Sequence, residues 1–175
     1  MNQKVKNTVT LLICVILLTV LDQATKYLAV LHLSPQEGGT DVLLLKGVFR
    51  LRYLENRGAA FGIFQGQKTI LVVTTVVVFL LLCWLFFHLP LEKHFSPLRW
   101  LIIFILAGAA GNFIDRMRLG YVIDFFYIEF IDFPIFNVAD IYVTCSVVLL
   151  IILFLFYYKE EDLNRIWPGK RKGEA

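Results

Sequence analysis

The stretch from Gly108 to Asp140 sets the carboxylates Asp115, Asp124 and Asp140, the amides Asn112 and Asn137 and the guanidinium of Arg116 against long runs of Leu, Ile, Val and Phe. Ionisable groups at such a boundary are costly unless paired or wetted, which marks them as functional candidates. Two carboxylates close together in a semi-dry site share a proton, because like charges a few ångströms apart resist joint ionisation. The charged member can then activate a water while the protonated one polarises a carbonyl. Spacing alone leaves open which of the three acids form that pair. Other chemistries find less support. His32, His88 and His94 stand at the ends of apolar runs with no serine placed beside them for nucleophilic attack, and no His/Cys/carboxylate cluster has zinc-ligand spacing. The chain is therefore expected to use neither metal nor cofactor.

These residues must be carried by apolar elements. In 175 residues, 58% are hydrophobic and 18% charged, with a mean hydropathy of +0.71, which indicates one domain of the membrane class. A net charge of +3 without a basic, aromatic-interleaved patch argues against a nucleic-acid partner. Cys14, Cys83 and Cys145 lie in separate apolar runs and receive no role. Four spans are predicted, at about 9–33, 69–89, 98–116 and 138–158. The first is read as an uncleaved span, because a signal peptide would have a shorter apolar core followed by small residues. Residues 42–64 read as a small outer β segment, in which Phe49, Leu51 and Tyr53 alternate with Arg50 and Arg52. The segment between spans three and four, which holds Val122-Ile123-Asp124-Phe125, reads as a short loop or helix, and 159–175 as a solvated tail with Lys170-Arg171-Lys172.

Four spans put both termini on one side. The termini and the turn near residue 93 carry 9 Lys/Arg against 7 in the two longer loops, which places the termini in the cytoplasm. Asp22, Lys26, Asn56, Asn112, Asp115, Arg116, Asp124 and Asp140 then converge on the outer face. Gly108, Asn112, Asp115 and Arg116 share one helical face, as do Asn137, Asp140 and Thr144. Each group has a plainer reading. Asn137 and Asp140 suit any helix start, Asp115-Arg116 suits an interfacial snorkelling pair, and Asp22 and Lys26 at i,i+4 can neutralise one another. Asp124, amid aromatics, is the hardest to explain that way.

Five blocks carry a resemblance: Asp22-Gln23-Ala24-Thr25-Lys26; Asn56-Arg57-Gly58-Ala59-Ala60-Phe61-Gly62; Gly108 through Arg116; Val122-Ile123-Asp124-Phe125; and Phe136-Asn137-Val138-Ala139-Asp140. In this order across four spans, the chain resembles the bacterial lipoprotein signal peptidases (signal peptidase II), aspartic peptidases of family A8. Ile141 departs from the small or hydroxylated residue usual there. The resemblance implies a mainly α membrane protein of four transmembrane helices with a small extracytoplasmic β-sheet. It implies an aspartic endopeptidase that removes signal peptides from prolipoproteins by cutting before a diacylglyceryl-modified cysteine. On the same ground Asp124 and Asp140 match the catalytic dyad. Asp22, Asn56, Gly108, Asn112, Arg116, Asn137 and Ala139, with Lys26, Gly58 and Asp115, match positions that support it or bind substrate. The expected partners are diacylglyceryl-modified prolipoproteins, membrane lipid and globomycin-type inhibitory peptides, with the chain acting as a monomer in the bacterial cytoplasmic membrane. Arg116 and Asn112 are expected to hold substrate carbonyls or the diacylglyceryl ester, the β segment to roof the site, and Phe125-Phe126-Tyr127 to gate it. The competing reading is a small transporter or channel with a carboxylate relay through Asp22, Lys26, Asp115 and Asp140. The absence of carboxylates from the inner halves of spans two, three and four counts against it.

Overall fold

In the computed structural model, which describes residues 2–58 and 64–166, four helices are long and apolar enough to cross a membrane. Helix α1 is Gln3–Leu33, α2 Lys68–His88, α3 Ser96–Arg118 and α4 Val138–Phe156. Their ends follow from local chemistry. The Asn2 side chain accepts from the Lys4 N–H at the start of α1. Ser34, held extended (ψ 126°) ahead of Pro35, stops that helix, as Leu89 ahead of Pro90 stops α2. Pro97 stands in the first turn of α3. Beyond the other end of α3, Gly120 takes a positive φ of 84° and donates its N–H to the Arg116 carbonyl.

Strands β1 (Val42–Leu45), β2 (Phe49–Asn56) and β3 (Val122–Ile128) form an antiparallel sheet with β2 in the middle. The stretch around Asp124, expected as a loop or helix, is thus mainly a strand. Its β-branched and aromatic residues pair with β2, setting Leu54 opposite Asp124 and Asn56 opposite Val122. Only afterwards does a single 3₁₀ turn, Glu129–Ile131, follow. A further bridge, Phe126 to Phe136, ties the sheet to the approach to α4. The outer side of β2 carries the pairs Arg50–Glu129 (2.5 Å) and Arg52–Asp41 (2.8 Å). Its other side sets Leu51 and Tyr53 against buried Ala29, Leu33, Ile123 and Phe125. Phe125 is thus a core residue under the sheet, and Phe126 stacks on Phe49. Of the three aromatics expected to gate the site, Phe125 and Phe126 are built into the packing, whereas Tyr127 lies on the other side of the strand with Arg52 over its ring and its hydroxyl donating to Asp132 at 2.6 Å. Residues 59–63, which include Ala59 to Gly62 of the second block, lie outside the described residues.

Helix α3 is the buried one. Leu98, Ile102, Ile103 and Leu106 pack with Leu11, Phe86, Leu89 and Phe95, whereas α2 and α4 leave Leu80, Val148 and Leu155 exposed, as lipid-facing helices do. The segment read as a solvated tail carries a short helix, α5 (Glu160–Ile166), because Ile166 buries itself in the α3 cluster. The basic run 170–172 lies outside the described residues.

Close approach of α3 to α4 depends on Gly108. A Cβ built there would lie 2.5 Å from the Ala139 carbonyl oxygen, which is backbone and cannot step aside. Gly108→Ala is therefore expected to destabilise the protein by about 1–3 kcal/mol and to lower its melting temperature in detergent. An unchanged melting temperature would show that the two helices can separate freely at this level.

Candidate active site

The Lys26 ammonium is buried, 1% exposed. An ammonium has three N–H donors, and here each has an acceptor: Asp22 Oδ2 at 2.9 Å, Asp115 Oδ2 at 3.0 Å and Asn112 Oδ1 at 2.9 Å. The i,i+4 step along α1 supplies Asp22, and the partners from α3 come from a face turned toward α1. Both acids reach onward. Asp22 Oδ1 accepts the Ala139 N–H of α4 at 2.9 Å, and Asp115 Oδ2 accepts the Ile123 N–H of β3 at 3.2 Å. One buried ion cluster thus joins α1, α3, α4 and β3.

The other two acids sit on this base. Asn137 caps α4 with its side chain on the Asp140 N–H (3.0 Å), and Asp140 Oδ2 accepts the Asn137 N–H (3.1 Å), a reciprocal capping box. Asp140 Oδ1 also accepts from Asn112 Nδ2 at 2.8 Å. Asn137 Nδ2 donates to Asp124 Oδ1 at 2.6 Å and to Asn112 Oδ1 at 3.1 Å, so a single amide bridges the surroundings of both acids. Asp124 is 0% exposed, with Oδ2 held by Asn56 Nδ2 at 2.8 Å, whereas Asp140 is only half-buried. Burial, and secondly the charge of Asp140, push the Asp124 carboxyl up to about 7, against the opposing pull of the Asn56 and Asn137 hydrogen bonds and the Lys26 charge. A carboxyl raised this far beside a second acid can carry a proton up to about neutral pH, an arrangement able to activate a water and polarise a carbonyl.

The remaining candidates surround this pair. Arg116 Nη2 donates to the buried Gly58 carbonyl at 3.1 Å, and the Gly58 N–H bonds the Asn56 side chain at 2.9 Å, which fixes the turn after β2 over Asp124. Asn112, expected to hold substrate, has its oxygen shared by Lys26 and Asn137 and its amide nitrogen on Asp140. All the residues singled out from the sequence thus gather at one end of the bundle. Two that were not singled out join them. Gln23 Nε2 bonds Asp115 Oδ1 (2.9 Å) and the Gly111 carbonyl (3.2 Å), and a Cβ at Gly111 would strike the Asp22 carboxylate. The sequence signals for both were adjacency to Asp22 and membership of a small-residue run. Among the described residues no group of His, Cys, Asp and Glu could hold a metal ion.

A family model described as Signal peptidase (SPase) II matches residues 14–156. Curated proteins named lipoprotein signal peptidase, from Streptococcus pyogenes serotype M5 (strain Manfredo) and serotype M18 (strain MGAS8232), are each 43% identical over 148 residues, 84% of this chain and 91% of theirs. Two solved bacterial membrane enzymes share the fold. One has a TM-score of 0.71 at 28% identity over 95% of this chain and 94% of its own. The other has a TM-score of 0.68 at 30% identity over 85% and 94%.

Removing the shared cation from the cluster leaves two buried carboxylates facing each other. Lys26→Met is expected to cost about 3–5 kcal/mol of stability, seen as a large fall in melting temperature. Adding Asp22→Asn and Asp115→Asn removes the stranded charge and should recover most of the loss. A Lys26→Met protein as stable as the parent would show that the cluster does not hold these elements together.

Proposed function

The chain belongs to the signal peptidase II family, and on that premise we propose that Asp124 and Asp140 are the dyad with which it works. The protein is a multi-pass membrane aspartic endopeptidase that removes signal peptides from lipoprotein precursors. The observation that carries the dyad assignment is the Asn137 amide that serves both acids, one buried and one half-open, over a buried cluster that leaves Asp22 and Asp115 fully engaged.

In this reading Asp124 keeps the shared proton and Asp140 is the carboxylate. Asp140 takes a proton from a water whose oxygen bonds to the scissile carbonyl carbon, while Asp124 gives its proton to the carbonyl oxygen. The tetrahedral intermediate collapses when Asp140 returns its proton to the amide nitrogen and Asp124 recovers one from a hydroxyl of the intermediate. The C–N bond breaks, releasing the new N-terminus and the signal-peptide carboxyl. Asn112 and Asn137 act as positioning residues for the dyad. The Asn56–Gly58 turn covers Asp124 and must be displaced by substrate, with Arg116 as its tether.

The scissile bond is that before a diacylglyceryl-modified cysteine. Each methylene buried in the bilayer adds about 0.8 kcal/mol of anchoring, so two acyl chains hold the bond at the depth of the dyad and lower the entropic cost of attack. Strand β3 and the start of α4 bring the dyad to one membrane face. With the termini in the cytoplasm, that face is the outer leaflet of the bacterial cytoplasmic membrane. The chain acts there as a monomer, and globomycin-type peptides compete for the same place.

The test is a cleavage assay on purified protein with lipidated and unlipidated precursor. Lipidated precursor should be strongly preferred. Asp124→Asn and Asp140→Asn should each lower turnover by at least about 100-fold while remaining folded. Wild-type turnover by either variant would overturn the dyad assignment, and equal rates on the two precursors would overturn the lipid-anchoring account.

A further inference from the structure

At the end of the bundle opposite the dyad, the starts of α1 and α3 enclose a cavity of about 340 Å³ with an uncompensated positive lining. Its floor is Arg99 and its rim Lys6 and Lys93, with Thr10 and Ser96 adding hydroxyls and Trp100 an apolar wall. Lys6 and Lys93 are exposed, whereas Arg99 is buried. The Arg99 guanidinium donates to two backbone carbonyls, Pro90 (2.6 Å) and Glu92 (2.8 Å), which use two of its five N–H groups and leave its full charge unneutralised. Among the described residues no carboxylate lines the cavity. The acids of the neighbouring segments are already engaged, Glu92 by Arg165 and Asp162 by His94. Among the described residues none of the three cations has a salt-bridge partner.

A buried guanidinium without a counter-charge is costly unless an anion meets it, and a planar fork beside two ammonium groups suits a phosphate. The apolar side decides what carries that phosphate. Trp100, Ile103, Phe86 and Leu91 line the same cavity, at the end of a spanning helix where aromatic side chains meet the headgroup region. Thirteen residues along α3 separate Arg99 from Asn112, about 20 Å, so this place is distinct from the dyad. We propose that the cavity binds the phosphate headgroup of an anionic phospholipid from the leaflet opposite the dyad, with the start of an acyl chain lying along Trp100 and Ile103.

The test uses the full chain in neutral detergent and follows thermal stability against added phosphatidylglycerol, phosphatidylcholine or inorganic phosphate. The compared variants are Lys6→Gln with Lys93→Gln, and Lys46→Gln with Lys68→Gln, which remove the same charge from the other side of the bundle. Phosphatidylglycerol should give saturable stabilisation. Its half-saturation should rise about 30-fold in the Lys6/Lys93 variant and stay unchanged in the Lys46/Lys68 variant, with cleavage activity in detergent unaltered in the Lys6/Lys93 variant. Phosphatidylcholine, whose choline cancels the charge, should stabilise little. An equal response of the two variants, or of the two lipids, would overturn the proposal. Full stabilisation by inorganic phosphate alone would also overturn it, by assigning the cavity to a soluble anion.

Discussion

A lysine ammonium taken out of water must find an acceptor for every proton it carries, and at Lys26 that requirement organises the protein. Its acceptors come from its own helix and from α3, and the two carboxylates among them use their remaining valence on the backbone of α4 and β3. The cluster carries one positive charge between Asp22 and Asp115, so it is stable only as a whole: each acid needs the cation and a backbone N–H. Gly108 and Gly111 are the steric counterpart. Without side chains at these positions α3 comes close enough for Asp22 to reach past it to Ala139.

The dyad proposed here stands one layer further out. Asn112 and Asn137 transmit the position of the ion cluster to Asp140 and Asp124, because each amide has a donor and an acceptor and both ends are engaged. Positioning by amides rather than by charges has a chemical consequence. Asp124 is held by amides, and its burial, with the nearby charge of Asp140, pushes its carboxyl up to about 7 against the pull of those hydrogen bonds. The same site therefore contains two kinds of acid, one pair bonded to a buried cation and another that can share a proton.

Much of this was legible before the fold was known, since apolar runs broken by acids at one end are a strong signal. The i,i+4 spacing of Asp22 and Lys26 revealed their pairing, and the Gly108-Asn112-Asp115-Arg116 face showed that α3 turns polar groups inward. The spacing could not show that Lys26 reaches across to α3, because an i,i+4 partner already accounts for it. Nor did it reveal β3. Val122 to Phe125 are buried on both faces, so the period-2 alternation that exposed β2 is missing there. Gln23 left no periodic trace, and the short α5 depended on a single anchoring residue, Ile166. Choosing Asp124 and Asp140 over Asp115 required the resemblance, since three acids with similar neighbours differ only in which partners the fold gives them.

The central claim is that a buried carboxyl, that of Asp124, keeps its proton up to about pH 7. Infrared difference titration of the purified enzyme measures this directly through the carbonyl band of protonated carboxylic acids. The account predicts a buried acid band that disappears as pH rises through about 7 and that is absent from Asp124→Asn. A band that persists in Asp124→Asn, or a wild-type protein with no protonated carboxyl one pH unit below that midpoint, would contradict it.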